Sequence, residues 1–400
     1  MKIYLDHNAT TPVAPEVADI VTRHLREEFG NASSVHSFGQ TAKAAVDEAR
    51  AAVADLIDAG PQEIVFTGGG TESDNLAIRG VAEAIRTSGR RQLIASAIEH
   101  EAVLHTFKAL AKLGWTTTEL RVDHTGIVTP EALEACITDE TALVSVMHAN
   151  NEVGTVQPVA TLAEIAHRHG AVFHTDAVQS VGKIPVSVRD LGVDLLSLSG
   201  HKFNAPKGVG ALWVRRGLRV VATLTGGKQE RSRRAGTENV PGLAGLGCAA
   251  RLAVERQRAE SSRVGELRAR LEAGILDSVT HTTLNGECRQ RVPNTVNISF
   301  KGVEAETLLI ALDLEGIAVS TGSACSSGSI EPSHVLRAMG LSPHRAQSSI
   351  RFSLGLGNTA AEIDHVLEVL PPVVDKLRGL SRAGANAGLR RAPAAQVAPR

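Results

Sequence analysis

Nowhere in the chain do about 18 uncharged apolar residues follow one another, so no helix able to cross a membrane is expected. The opening, MKIYLDHNATTPV, meets Asp6 and His7 before an apolar run can build, which argues against a secretory leader. An excess of one charge is missing too: 42 Lys and Arg face 43 Asp and Glu, for a net charge of -1. With no global field toward a polyanion, neither nucleic acid nor a membrane surface is expected as a partner, and small molecules or proteins are. Cysteine is scarce. Cys136, Cys248, Cys288 and Cys325 stand far apart with no CxxC pair, which excludes a zinc ribbon, a thioredoxin-like motif and a disulfide framework. No resident metal is expected, and a reducing, cytoplasmic location is. No repeat of solenoid period occurs.

The 400 residues suffice for two units, each with its own core. Short β-rich runs at 63–67, 91–96, 142–149, 171–177, 194–200 and 210–215 alternate with amphipathic helical stretches such as TESDNLAIRGVAEAIRTSG and TLAEIAHRHG. That alternation predicts an α/β unit with a mainly parallel sheet, whose ligands gather at the carboxyl ends of the strands. Beyond an Arg- and Glu-rich helix near 248–278, the runs NTVNISF, ETLLIALDLEGIAVST and SSIRFSLG predict a smaller α+β unit. The expected division is a large unit over 15–255 and a small one made of 1–14 and 256–380. The last twenty residues, 381–400, with four Arg and no acid, are expected to be disordered.

The run FTGGGTESDNLAI ends a strand in three glycines, the last being Gly70, and opens a helix at Thr71. Crowded backbone amides at a helix N-terminus suit a phosphate; an ordinary glycine turn with a Thr or Ser cap fits the same letters. The spacing GxGxxG and a Walker lysine are both absent, so a phosphate here belongs to something smaller than a dinucleotide. Asp176 ends one apolar strand, and Ser199, His201 and Lys202 follow another. A lysine and a buried carboxylate in one crevice are what pyridoxal 5'-phosphate requires, one for a covalent link to its aldehyde and the other to keep its ring nitrogen protonated. Each also has a plainer reading, as a helix cap and as a solvated strand-end lysine. His100, after its own strand, reaches the same sheet edge and can stack on a planar ring, or can simply start a helix. Arg351, flanked by apolar residues in SSIRFSLG, needs either a substrate carboxylate or an internal acid. Cys325 stands in VSTGSACSSGSIEP, a short Gly/Ser-rich loop; Cys136 and Cys248 sit on helix-like apolar faces, and Cys288 in a loop.

Taken together, YLDHNATTPV, FGNASSVHSFGQ, FTGGGTESDN, EHEAVL, HANNEVGTVQP, HTDAVQSVGKIPV, SLSGHKFNAPKGVGAL, RRAGTENV, VSTGSACSSGS and SSIRFSLG resemble the pyridoxal-phosphate-dependent cysteine desulfurases of the NifS/IscS type. The resemblance covers residue 3 to about 370 and implies a fold type I transferase. It implies that Lys202 links to the cofactor, Asp176 pairs with the ring nitrogen, His100 stacks on the ring, and Asn151 and Gln179 lie near its phenolic oxygen. Gly70, Thr71, Ser199 and His201 would hold the phosphate, and Thr237 would reach it from the second subunit of a homodimer. Arg351, helped by Asn151, would take the carboxylate of L-cysteine. The implied reaction is L-cysteine to L-alanine, with sulfur carried by Cys325 as a persulfide to an acceptor or iron–sulfur scaffold protein, where Cys325 can transiently ligate a shared cluster. The flexibility of its loop then serves travel between cofactor and acceptor. A selenocysteine lyase, another enzyme of the same family and a non-catalytic sulfur-transfer scaffold are the alternatives. The wording departs from the family at Gly68 and Gly69, at Lys228 and Ser232 where glycines are common, and at Leu356 where arginine is.

Overall fold

The computed structural model describes residues 2–322 and 332–389, with side chains through residue 380. After β1 (Ile3–Tyr4) come α1 (Pro15–Arg26), α2 (Ser37–Leu56), β2 (Ile64–Thr67), α3 (Gly70–Ala84), β3 (Gln92–Ser96), α4 (Glu101–Ala111) and β4 (Thr116–Leu120). The large unit continues with α5 (Pro130–Glu134), β5 (Thr141–Ser145), α6 (Val159–Arg168), β6 (Val172–Asp176), α7 (Val188–Leu191), β7 (Leu195–Ser199), β8 (Gly210–Val214) and α8 (Gln229–Ser232). A 39-residue helix, α9 (Val240–Ser278), leads into β9 (Thr282–Asn285), β10 (Thr295–Phe300), α10 (Ala305–Leu314) and β11 (Ile317–Ala318). The chain ends through α11 (His334–Ala338), α12 (Pro343–Gln347), β12 (Ser349–Ser353) and α13 (Ala360–Leu389).

Seven strands form the main sheet in the order β2-β8-β7-β6-β5-β3-β4. Six of them point the same way, and β8 alone runs against them, antiparallel to both its neighbours, β2 and β7. Central strands such as β5, β6 and β7 are covered on both faces, which is why they read as nearly unbroken apolar runs. The parallel edge strand β4, TTTEL, is mostly exposed and lacks that signature, so it is absent from the expected strands. A smaller antiparallel sheet, β12-β10-β9, and the parallel pair β1-β11 build the second unit.

Two of the cores meet in α9. Its first half, through Ala250, packs with the large sheet, and from Val264 onward its buried residues join Ile3, Leu5, Phe300 and Phe352 of the second unit. The change falls within one unbroken helix, not at a linker. The final helix, α13, continues to Leu389. Residues 390–400 of the tail expected to be disordered lie outside the described residues.

Candidate active site

Parallel strands deliver their carboxyl ends to one edge, and the site residues follow from that. Gly70 and Thr71 open α3 just beyond β2, His100 precedes α4, Asp176 ends β6, and Ser199 ends β7. A single 3-10 turn, Gly200–Lys202, then carries His201 and Lys202. Together with Asn151, Gln179 and, from the small unit, Arg351, they line one cavity of about 430 Å³. Gly322 also touches it.

At the head of α3 no side chain caps the helix: the N-cap is Gly69, at φ +148°, so the alternative of a Thr or Ser cap does not hold. The first amides of a helix have no partners within it, and here they are left to the cavity. Close approach is built in, because a Cβ on Gly70 would stand 2.9 Å from Val178 Cγ2. One acidic residue lies in this first turn, where it opposes an anion. Glu72, however, is engaged by Arg234 Nε at 2.8 Å and accepts the Gly68 amide at 2.7 Å. Thr71, Ser199 and His201 complete the surroundings.

Lys202 donates its Nζ to the backbone oxygens of Asn8 at 2.6 Å and Ala9 at 2.8 Å. Asp176 is 5% exposed and accepts the Val178 amide at 2.9 Å on Oδ1. Burial raises its pKa, while the nearby His100 and Lys202 pull it down. His100 caps α4, its Nδ1 accepting the Ala102 amide at 3.1 Å. It is therefore both the helix starter and a cavity wall. Burial lowers its pKa, and a neutral ring with Nδ1 as acceptor carries its proton on Nε2. His201 shares a hydrogen bond of 3.1 Å with Thr10 Oγ1, and burial followed by Lys202, Lys207 and Lys183 brings its pKa to about 4. Arg351, 3% exposed, donates Nη2 to Asp6 at 2.7 Å and Nη1 to the Asn151 backbone oxygen at 2.9 Å. The internal acid offered as its alternative partner is thus present, and Arg351 Nε is buried with no hydrogen-bond partner among the described residues.

Several residues of the site carried no role in the sequence reading. Asn8, 2% exposed, bonds Lys183 and Asn294 through Oδ1 and Asn151 and Thr295 through Nδ2. Asp74 and Glu99 are fully buried carboxyls beside Asp176, and burial holds the Glu99 pKa up at about 8 and raises that of Asp74 strongly. The available signals were a polar N-terminal stretch, YLDHNATTPV, and acids next to apolar runs; neither tells which tertiary partners they meet.

Thr237 does not reach the cavity of its own chain. It is exposed and lies with Gly68, Gly208 and Glu230 around a separate small cavity. Cys325 lies outside the described residues, but both flanks of its segment are placed: Gly322 abuts the Glu152 carboxylate, and Ser333 donates its hydroxyl to Glu152 Oε2 at 2.5 Å.

Residues 3–366 match the family model described as aminotransferase class-V. The chain belongs to the class-V aminotransferase family. This family member is similar to a protein named cysteine desulfurase IscS from Dictyoglomus turgidum, 48% identical over 95% of this chain and 96% of the relative. A protein of the same name from Methanosarcina thermophila is 49% identical over 95% of this chain and 93% of its own length. Among solved structures, a NifS-like protein superposes with a TM-score of 0.89 at 38% identity, covering 94% of this chain and all of the other. A structure described as SspA in complex with cysteine gives 0.79 at 36% identity, over 88% of this class-V chain and 99% of that one. The mainly parallel seven-stranded sheet with a smaller α+β unit is therefore the fold of these NifS-like enzymes.

Proposed function

We propose that this chain is a pyridoxal-phosphate-dependent cysteine desulfurase, a sulfurtransferase that converts L-cysteine to L-alanine and leaves the sulfur on Cys325 as a persulfide. The observation that carries the reading is the convergence of an uncapped helix N-terminus, a buried aspartate, a histidine and a lysine on one cavity that Gly322 borders. These residues fit pyridoxal phosphate. Thr71, Ser199, His201 and the amides from Gly70 would hold its phosphate, Asp176 its ring nitrogen and His100 its ring face, with Asn151 and Gln179 near the ring oxygen and Lys202 at the aldehyde. The cofactor, when bound, supplies an electron sink that acidifies the α-proton of an amino acid.

The chain's own residues supply binding and proton movement. Asp6 and Asn151 hold the Arg351 guanidinium in place at the cavity wall, where it would take the carboxylate of the substrate. Lys202, resting on the Asn8 and Ala9 oxygens, is the amine that moves a proton at the substrate α-carbon. Cys325 follows Gly322, a residue of the cavity border, by three positions in the sequence. Its thiolate attacks the substrate sulfur; the carbon–sulfur bond breaks as a sulfur–sulfur bond forms. Cysteine plus thiol thus become alanine plus persulfide, and no outside oxidant is consumed.

The relatives named IscS support delivery of that sulfur to an acceptor or iron–sulfur scaffold protein. An exposed Thr237 that does not line its own chain's cavity supports a homodimer in which a second copy lends this residue to the phosphate. Cys136, Cys248 and Cys288 are free thiols, in keeping with a reducing cytoplasm. Among the described residues no helix is long and apolar enough to cross a membrane. The test supplies cofactor-loaded protein with L-cysteine and measures alanine together with the mass of the Cys325 peptide. A gain of one sulfur atom is expected. Cys325→Ser should keep the visible absorbance and lose alanine formation; alanine at the wild-type rate in that variant refutes the role of Cys325.

A further inference from the structure

Lys183, in the turn after β6, points its amino group inward between the cofactor cavity and a second, smaller cavity behind Lys202. Its Nζ donates to Asn8 Oδ1 at 2.9 Å and to Gln179 Oε1 at 2.5 Å. Among the described residues no carboxylate lies within 4.0 Å of it, and burial, then Lys202 and Arg351, depress its basicity well below the usual lysine range. A buried amine served only by neutral carbonyls is expensive to keep, and an unbranched apolar side chain would fill the space without that cost.

What the amine accomplishes follows from the two amides it touches. An Asn or Gln amide can be turned either way, and its neighbours decide which. Asn8 Oδ1 accepts from Lys183 and from Asn294, while its Nδ2 donates both protons, to Asn151 O and Thr295 Oγ1. Turning it would set two donors against two donors. Gln179 presents Oε1 to Lys183 and spends one Nε2 proton on the Asn8 oxygen at 3.0 Å, the same oxygen that receives Lys202. One Nε2 proton remains, on a residue that lines the cofactor cavity.

We propose that Lys183 is a positioning residue: by fixing the carbonyl ends of Gln179 and Asn8, it holds the remaining Gln179 N–H toward the cofactor's ring oxygen and holds in place the carbonyl on which Lys202 rests. The inference rests on the cavity being a pyridoxal phosphate site. Its role is orientation, and it makes no contact with the reacting atoms.

A double-mutant cycle in cofactor binding tests it. Pyridoxal phosphate is titrated into the apo forms of the wild type, Lys183→Met, Gln179→Leu and the double variant, following bound-cofactor absorbance and thermal unfolding of each apo chain. Loss of one hydrogen bond to a charged oxygen predicts affinity lower by at least about tenfold in each single variant and a shifted absorbance band. Because both changes remove the same bond, the double variant should be no weaker than the worse single one. Lys183→Gln, whose shorter amide cannot span both carbonyls, replaces the methionine variant if that one fails to fold and should also bind more weakly. Wild-type affinity and absorbance in the Lys183 variants, or losses that multiply in the double variant, overturn the proposal. If the wild type itself takes up no pyridoxal phosphate, it is the functional reading that falls.

Discussion

Replacing Glu230 by Ala should destabilise the chain far more than a loop substitution ordinarily does. The Glu230 side chain is 3% exposed and accepts Arg50 Nη1 at 2.8 Å, Arg50 Nη2 at 2.7 Å and the Phe66 amide at 2.9 Å. Arg50, 8% exposed at its side chain, also donates to Ile64 O at 2.9 Å and lies 4.5 Å from the Phe66 ring centroid. Removing the carboxylate strands a buried guanidinium and a strand amide together. Breaking a buried pair from one side costs about 3–5 kcal/mol. Backbone conformation does not offset this: Glu230 sits at φ +47°, and alanine is no more comfortable there than glutamate. Urea unfolding of the apo chain, followed by tryptophan fluorescence, reads the effect, since Trp213 pairs directly with Ile64 across β2 and β8. The companion Arg50→Met/Glu230→Leu should regain most of the loss, because no charge is then left buried. A loss below about 1 kcal/mol for Glu230→Ala would refute the view that this pair pins the loop leading to Thr237.

The same segment holds Ser232 at φ +64°, a left-handed conformation that glycine adopts without steric cost; Ser232→Gly should stabilise by about 1 kcal/mol, read as a higher urea midpoint, and an unchanged or lower midpoint counts against strain there. Glu99 keeps its proton in the folded chain up to about pH 8, while the unfolded residue releases it near 4.5. Between those values the folded state holds the extra proton, so stability falls as pH rises, by about 1.4 kcal/mol per pH unit, and levels off above the folded value. Glu99→Gln should flatten that fall; identical slopes for the two proteins in urea unfolding between pH 5 and 8 would contradict it.

Much of this molecule is legible from its letters, for identifiable reasons. Strands buried on both faces are apolar throughout and bounded by glycine or polar turns, so β3, β6, β7 and β8, and with them the buried edge strand β2, emerge nearly where the sequence places them. Lys202 and Asp176 stand out because charged residues at the ends of such strands have few ordinary reasons to be there. The polar edge β4 lacks any such contrast. Arg351 announces the need for a partner, but Asp6 lies 345 positions away, and only the closing of β12 on the N-terminal segment brings them together. Asn8 and Lys183 are hidden in the same way, since their significance is a set of hydrogen bonds drawn from both units.

The placement of the first residues also has a temporal side. Ile3 and Leu5 are packed into the core shared with Phe300, Ile350 and Phe352, and β1 pairs with β11, more than 300 residues downstream. A ribosome delivers the chain from its N-terminus, at roughly 5–20 residues per second. The seven-stranded sheet is complete in sequence at Val214, while β1 still waits for its partner strand. Asn8 and Ala9, the resting place of the Lys202 amine, are therefore synthesised before the seven-stranded sheet and secured only after it is complete. A nascent chain released before β12 would own most of its ligand-binding crevice and lack the clasp that shuts it.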